Sequence, residues 1–219
     1  MLKCVVLLLS LALVLVAPAY AVTVNACLTD WGTTCPLRVA ICPQGDFQLI
    51  REGCGGCCDY IWVLARDAAG SPVWGVPVND YYLQACDPTQ ELCLCVNPII
   101  ADSITNEDGF TTISGTIAGG GCVGEMSPGI ALAVGGNFIV DEPLCVDIHC
   151  EPITIVSPDL TADCQVSLSD LAIFGFSYLK DCGHPDYNEC CDYNGDCIVD
   201  LSDFAYFAMH YQHMCIEEY

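Results

Sequence analysis

The sequence predicts a mainly β N-terminal domain, rich in disulfides, followed by a small all-α metal-binding domain. Three observations lead there. Between Val22 and Pro152, short apolar segments alternate with Gly, Pro, Asn and Asp. Nineteen cysteines stand among 219 residues, a density typical of disulfide scaffolds. From Ser157 onward the chain repeats itself with a period of 33, and each copy opens on regularly spaced oxygen side chains.

The chain carries 28 Asp and Glu against 5 Lys and Arg, a formal charge of −23 at pH 7. Only 15% of residues are charged and 53% are apolar, which excludes a disordered acidic tail. The balance also excludes nucleic acid as a partner, because phosphate-backbone binding needs Lys and Arg to displace counterions. It suits hard cations, which take carboxylate oxygens. At the start, Lys3 precedes two apolar runs, Val5 to Leu9 and Leu11 to Ala17, then Pro18 and Ala19-Tyr20-Ala21. This reads as a secretory signal peptide over residues 1–21 rather than a membrane span. No later segment is long and apolar enough to cross a bilayer, so no span is expected in the mature chain. Cleavage would remove Lys3 and Cys4 and leave an even number of cysteines, as pairing in an oxidising compartment requires. Lipidation at Cys27, in Val24-Asn25-Ala26-Cys27, is disfavoured: the box lies well beyond the apolar run and its use would leave an odd number. A secreted protein, extracellular or on the cell surface, is expected.

In the domain expected over residues 22–152, the opening from Cys27 to Cys58 holds cysteines with Gly and Pro and little periodicity. Tyr60 to Ala65 reads as a strand, Asp67 to Pro72 as a turn, and Val73 to Val78 as the returning strand. Ser103-Ile104-Thr105, Asn106-Glu107-Asp108-Gly109 and Phe110 to Ser114 repeat that strand–turn–strand pattern. Ile130 to Val134 and Phe138 to Val140 add strands around Gly135-Gly136-Asn137. Many short strands so punctuated indicate a sandwich or barrel. The series Asp67, Gly70, Pro72, Val73, then Thr105, Gly109 and Phe110, resembles that of bacterial immunoglobulin-like domains of secreted and surface proteins. The resemblance spans about residues 58–140 and implies an immunoglobulin-like sandwich used as a spacer, adhesin module or accessory domain. The cysteines depart from that pattern, and the pairing of the twelve between residues 22 and 152 is open.

In the domain expected over residues 153–219, the twelve residues from Asp159 to Asp170 align with those from Asp192 to Asp203. The match continues through Ala172 and Ala205, Phe174 and Phe207, Tyr178 and Tyr211, and Cys182 and Cys215. Oxygen side chains at positions 1, 3, 5, 9 and 12 have the spacing of an EF-hand loop, in which position 7 adds a carbonyl. The first loop offers Asp159, Thr161, Asp163, Ser167 and Asp170 with the carbonyl of Gln165. The second offers Asp192, Asn194, Asp196, Asp200 and Asp203 with the carbonyl of Ile198. Two Ca²⁺ ions are expected, the second held tighter because its loop has more carboxylates. Val166 and Val199, at position 8, suit a short β contact between the loops. Cys164 and Cys197 occupy position 6, where a sharp turn usually takes Gly.

A helical pattern follows each loop and none precedes it. Duplicated calcium loops with only an exiting helix resemble the type I dockerin, the module that docks onto cohesin domains. The resemblance covers about residues 157–215. It implies antiparallel helices, each loop lying beside the end of the other helix, and hence bridges Cys164–Cys215 and Cys182–Cys197. A bond within one repeat fails, because a helix of about twelve residues spans roughly 18 Å while disulfide Cα atoms lie about 5.5 Å apart. Cys190 and Cys191 are left to pair with each other or elsewhere. Leu168, Leu171, Phe174 and Tyr178, with Leu201, Phe204, Phe207 and Tyr211, read as a mutual helix–helix core. In dockerins positions 10 and 11 read the partner; here they are Leu168-Ser169 and Leu201-Ser202. The repeated pair implies binding in either of two orientations, against the plainer reading that both Leu are buried.

Other motifs read as structural. Cys54-Gly55-Gly56-Cys57-Cys58 lies in no βαβ pattern and is assigned to disulfides rather than redox or zinc chemistry. His210 and His213, without a Glu between them, read as a frayed helix end. Gly119-Gly120-Gly121 lacks a following Lys and reads as a loop, not a phosphate cradle. The expected function is non-catalytic: a calcium-bound module attaching the protein to a cohesin-like domain or to another copy of itself. The alternatives are a subunit of a head-to-tail filament and a small dockerin-borne enzyme acting on polysaccharide.

Overall fold

The computed structural model describes residues 23–33, 37–46, 49–51, 60–95, 99–125 and 127–215. The expected signal peptide and the Cys54–Cys58 motif lie outside them. The strands are β1 (Asp30–Gly32), β2 (Leu37–Ala40), β3 (Leu49–Arg51), β4 (Ile61–Leu64), β5 (Tyr81–Ala85) and β6 (Leu92–Leu94). After them come β7 (Phe110–Ile113), β8 (Gly119–Gly121), β9 (Ile130–Val134), β10 (Asn137–Phe138), β11 (Cys150–Glu151) and β12 (Thr154–Val156). Two helices close the chain, α1 (Leu168–Ser177) and α2 (Leu201–His210), with a 3-10 turn at Glu189–Cys191 between them. The described residues are mainly β, with two short helices and many disulfides.

Among the described residues four small sheets form: β1-β4-β7; β9 flanked by β5 on one edge and by β10 and β11 on the other; β12-β2-β3; and β6-β8. Every pairing is antiparallel except β12 with β2, which is parallel. The strands follow from side-chain pattern. In β4, Ile61 and Val63 face the core while Trp62 and Leu64 are half-buried, and β9 is buried along its whole length. Turn chemistry fixes the corners. Asp67 Oδ1 accepts from the amides of Ala69 and Ser71, and Asn106 Oδ1 accepts from those of Asp108 and Phe110. Gly135 and Gly136, both at positive φ, make the two-residue turn between β9 and β10. Val73–Val78, expected as a strand, is irregular. Pro72 and Pro77 deny it ladder donors, and Thr105 Oγ1 accepts from Val76 N and donates to Val73 O.

The β2–β12 pair has a core on each face. Val39, Ile41 and Ile155 belong to the large core of the β-rich half, with Trp31, Val63, Tyr81 and Leu132. Ala40, Cys42 and Val156 belong to a second core with Phe174, Tyr193 and Phe207 of the helical region. The expected domain boundary at Pro152 therefore precedes a strand, Thr154–Val156, that lies in a sheet with residues of the first half. On the same face as Ala40, the buried Arg38 reaches across. Its guanidinium pairs with Glu125 Oε1 at 3.1 Å and donates to the carbonyls of Glu189 and Asp192.

Disulfides cross the same junction. Cys93, Cys95 and Cys122 are bonded to Cys164, Cys215 and Cys190 respectively, while Cys27–Cys145 and Cys86–Cys150 lie within the first half.

Two predictions follow from this packing. Arg38→Met should destabilise the protein by about 2–4 kcal/mol, because it strands two carbonyls at a buried junction. Chemical denaturation measures it, and a loss below about 0.5 kcal/mol would mean that Arg38 does not tie the halves. His149, edge-on to Trp31, bonds Asp141 at 2.6 Å and Glu151 at 3.0 Å. Burial opposes its charged form, but the two carboxylates outweigh burial and raise its pKa. Its stabilisation is thus full below its unfolded value of about 6.5 and is lost as pH rises through the folded one. Stability measured across neutral pH should show this slope, and His149→Gln should flatten it.

Candidate functional site

The two expected loops fold alike, and local sequence explains how. Ser167 and Asp170 form a capping box at the start of α1, as Asp200 and Asp203 do at α2. Position 1 gathers each loop. Asp159 accepts from the amides of Asp163 (3.2 Å) and Cys164 (2.8 Å), and Asp192 from those of Gly195 (2.8 Å) and Cys197 (2.9 Å). Position 12 closes it. Asp170 accepts from Thr161 N and Ser167 N, and Asp203 from Tyr193 N and Asp200 N. Cys164 and Cys197 have φ of 67° and 68°, the left-handed conformation that position 6 demands.

These four carboxyl-bearing residues, Asp159, Asp170, Asp192 and Asp203, are all buried. Burial, then the negative charge of Asp170, pushes the Asp159 carboxyl up to about 6; burial raises Asp203 too. Asp159, Asp163 and Asp170 each place a carboxylate oxygen within 4.8 Å of the others. Two buried carboxylates converging with the exposed Asp163 fit an oxygen-seeking divalent cation, with Thr161, Ser167 and the Gln165 carbonyl in the same loop. In the second loop Asp192 Oδ2 also accepts from the Tyr187 hydroxyl at 2.7 Å, and Asn194 Nδ2 donates to Asp196 Oδ2. Its carboxylates do not converge within the same distance among the described residues. The first loop's carboxylates are thus the more closely gathered, while the second loop keeps the larger number, Asp192, Asp196, Asp200 and Asp203. Gly120 serves this site: a Cβ there would collide with the Asp159 carboxylate. The Gly119–Gly121 run, expected as a loop, is strand β8.

The β contact expected between Val166 and Val199 is made elsewhere. Val166 exchanges main-chain bonds with Gln212 and His213, and Val199 with Leu179 and Lys180. Each loop therefore pairs with the segment following the other helix. His210 and His213, expected at a frayed end, are fixed by that pairing. The expected bridges are replaced too. Cys215 N does donate to Cys164 O at 3.0 Å, but both sulfurs bond to cysteines of β6 and its end, Cys93 and Cys95. All four sulfurs lie within 4.8 Å of one another, so proximity within the repeat could not single out a pair. Cys182 and Cys197 are neighbours, with Cys182 N donating to Cys197 O at 3.0 Å, but are unbonded thiols.

The helix core is narrower than expected. Phe174 and Phe207 are its buried centre, 5.6 Å apart between ring centroids, and Tyr193 stacks on Phe174. Leu168 and Leu201 are each 67% exposed, beside the exposed Ser169 and Ser202. Phe204 and Tyr211 are exposed at its margin and, with Leu171, Phe207 and Ala208, line an open apolar pocket of about 200 Å³. Among the described residues, no helix is long and apolar enough to cross a membrane.

No family model matches the chain, and no curated protein matches it. Among solved structures, it is similar to a chain of a type II cohesin–X-dockerin complex, a C-terminal interface mutant, from Acetivibrio cellulolyticus. Identity is 12%, over 83% of this chain and 98% of that one, with a TM-score of 0.27. At that score the likeness carries no weight for fold or function.

The loop geometry predicts opposite effects of Asp159→Asn. With chelator it should stabilise the protein, by removing like-charge repulsion; with calcium it should weaken the first site roughly tenfold or more. Calorimetric titration and thermal unfolding, each with and without Ca²⁺, measure both signs. Equal calcium affinity in variant and parent would remove Asp159 from the ligand set.

Proposed function

We propose that this is a non-catalytic extracellular protein whose C-terminal module, dockerin-like and loaded with two Ca²⁺ ions, attaches it to a protein partner. The carrying observation is the repetition of one exposed pair, Leu168-Ser169 and Leu201-Ser202, at the same point of two loops with the same hydrogen-bond plan. A single exposed leucine is ordinary on a protein surface; the same exposed pair repeated at the same loop position fits a partner that uses either repeat. The loops supply the calcium dependence: with the carboxylates neutralised, the first turn of each helix is held in the register that presents these side chains. The sheet pairing β1-β4-β7 and β5-β9-β10 supports an immunoglobulin-like sandwich as the carrier. Five disulfides in the described residues support an oxidising, extracellular setting.

The test is capture from the native extracellular fraction with calcium or with chelator. A partner held only with calcium supports attachment, and capture of the same chain alone supports a self-assembling filament instead. Nothing held in calcium overturns the reading. Once a partner is in hand, Leu168→Arg and Leu201→Arg should each reduce affinity only about twofold, by removing one of two equivalent orientations. The double variant should lose binding.

A further inference from the structure

Four side chains distant in sequence meet where the sandwich touches the helical region: Cys42, Asp46, His210 and His213. Their ligand atoms all lie within 4.8 Å of one another. Cys42 Sγ is 3.3 Å from His213 Nδ1, and the two Nδ1 atoms of His210 and His213 are 3.4 Å apart. Asp46 Oδ1 lies 3.3 Å from His210 Nδ1 and 3.5 Å from His213 Nδ1. As hydrogen bonds the three among His210, His213 and Asp46 are long, whereas the thiol–imidazole contact is of ordinary length for sulfur. His149 in the same protein meets its carboxylates at 2.6 and 3.0 Å. As edges of a coordination tetrahedron they are right: Zn–N and Zn–O near 2.1 Å and Zn–S near 2.3 Å give ligand–ligand edges of about 3.3–3.6 Å.

The main chain fixes each corner. Cys42 follows β2, and its carbonyl accepts from Gly45 N and Gly119 N. That tight turn, with Gly45 at φ 69°, folds Asp46 back beside Cys42. His210 ends α2. After the left-handed Gln212, His213 donates through its amide to the His210 carbonyl and accepts from Val166 N. Cys42 is an unbonded thiol with no exposed surface, which argues against its use as a nucleophile on any substrate.

We propose that Cys42, Asp46, His210 and His213 bind one Zn²⁺, clamping the end of β2 to the end of α2. One thiolate, one carboxylate and two neutral imidazoles cancel the charge of the ion, which suits a site where Cys42 and His210 are buried while Asp46 reaches the surface. Binding forms the Zn–S bond and releases the Cys42 thiol proton to solvent. Four protein ligands leave no open position, so the site is structural. Soft sulfur and nitrogen donors separate it from the all-oxygen calcium loops, and it stands independently of the calcium reading.

The test uses the whole secreted chain, reconstituted with ZnCl₂ in excess calcium and dialysed against metal-free calcium buffer. Elemental analysis should find about one zinc per chain. Cobalt(II) in its place should give the intense visible bands of a tetrahedral ion and a near-ultraviolet thiolate-to-cobalt band. Cys42→Ser should abolish the thiolate band, and His213→Gln should lower retained zinc at least about tenfold. Calcium content and circular dichroism, unchanged in both variants, separate ligand loss from misfolding. Retention of no zinc, an octahedral cobalt spectrum, preference for copper in the natively isolated protein, or a peptide map placing Cys42 in a disulfide would each overturn the assignment.

Discussion

The short parallel pair β2–β12 is the constraint on which the rest of the architecture rests. A strand with apolar packing on both faces has no solvent side, so its alternate side chains must satisfy two cores at once. Val39 and Ile41 point into the core of the β-rich half, and Arg38, Ala40 and Cys42 into the helical region. A one-residue slip of β2 would exchange the two sets and bury the Arg38 charge in the apolar core. That register places a guanidinium under the start of the second loop, where it bonds the Asp192 carbonyl, and a thiol beside the end of α2. The first half thus fixes the geometry of the second. The large negative charge sharpens the point: Arg38 is one of only five Lys and Arg residues, and it is spent inside the protein.

Much of this was legible in the chain. Strands β4, β7 and β9 stand where alternation and turn residues placed them, because those signals are local. The repeat predicted two loops, two exiting helices and positive φ at Cys164 and Cys197, since each follows from a few neighbouring residues. Pairing between distant segments was not legible. β2, β3 and β12 lie in stretches without clear periodicity, and β12 joins β2 only when residues more than a hundred positions apart come together. Cysteine pairing failed for the same reason: Cys93 and Cys95 alternate with Leu in a short strand, and no local feature points them at the repeat. Cys42 and Asp46 gave no sign of a connection to His210 and His213.

The duplication is more exact in backbone than in side chain. Residues 33 positions apart share left-handed geometry at Ala162 and Gly195, Cys164 and Cys197, and Leu179 and Gln212. The two helix ends, at Tyr178 and Tyr211, have nearly identical dihedrals. What differs is what each copy touches. The first loop packs on the glycines of β8; the second packs on Arg38 and Tyr187. An internal two-fold relation is kept on the outward face while its inner face is adapted to an asymmetric neighbour.

Cys93 and Cys95 sit in one short segment, yet they seize opposite ends of the repeat, Cys164 in the first loop and Cys215 beyond the last helix. The chain between those anchors forms a covalently closed ring on the surface of the β-rich half. Tension applied to that face therefore travels through sulfur–sulfur bonds to the sheet. A module anchored only by apolar packing would peel away under such a load; this one must break a covalent bond or unravel the strand that holds it.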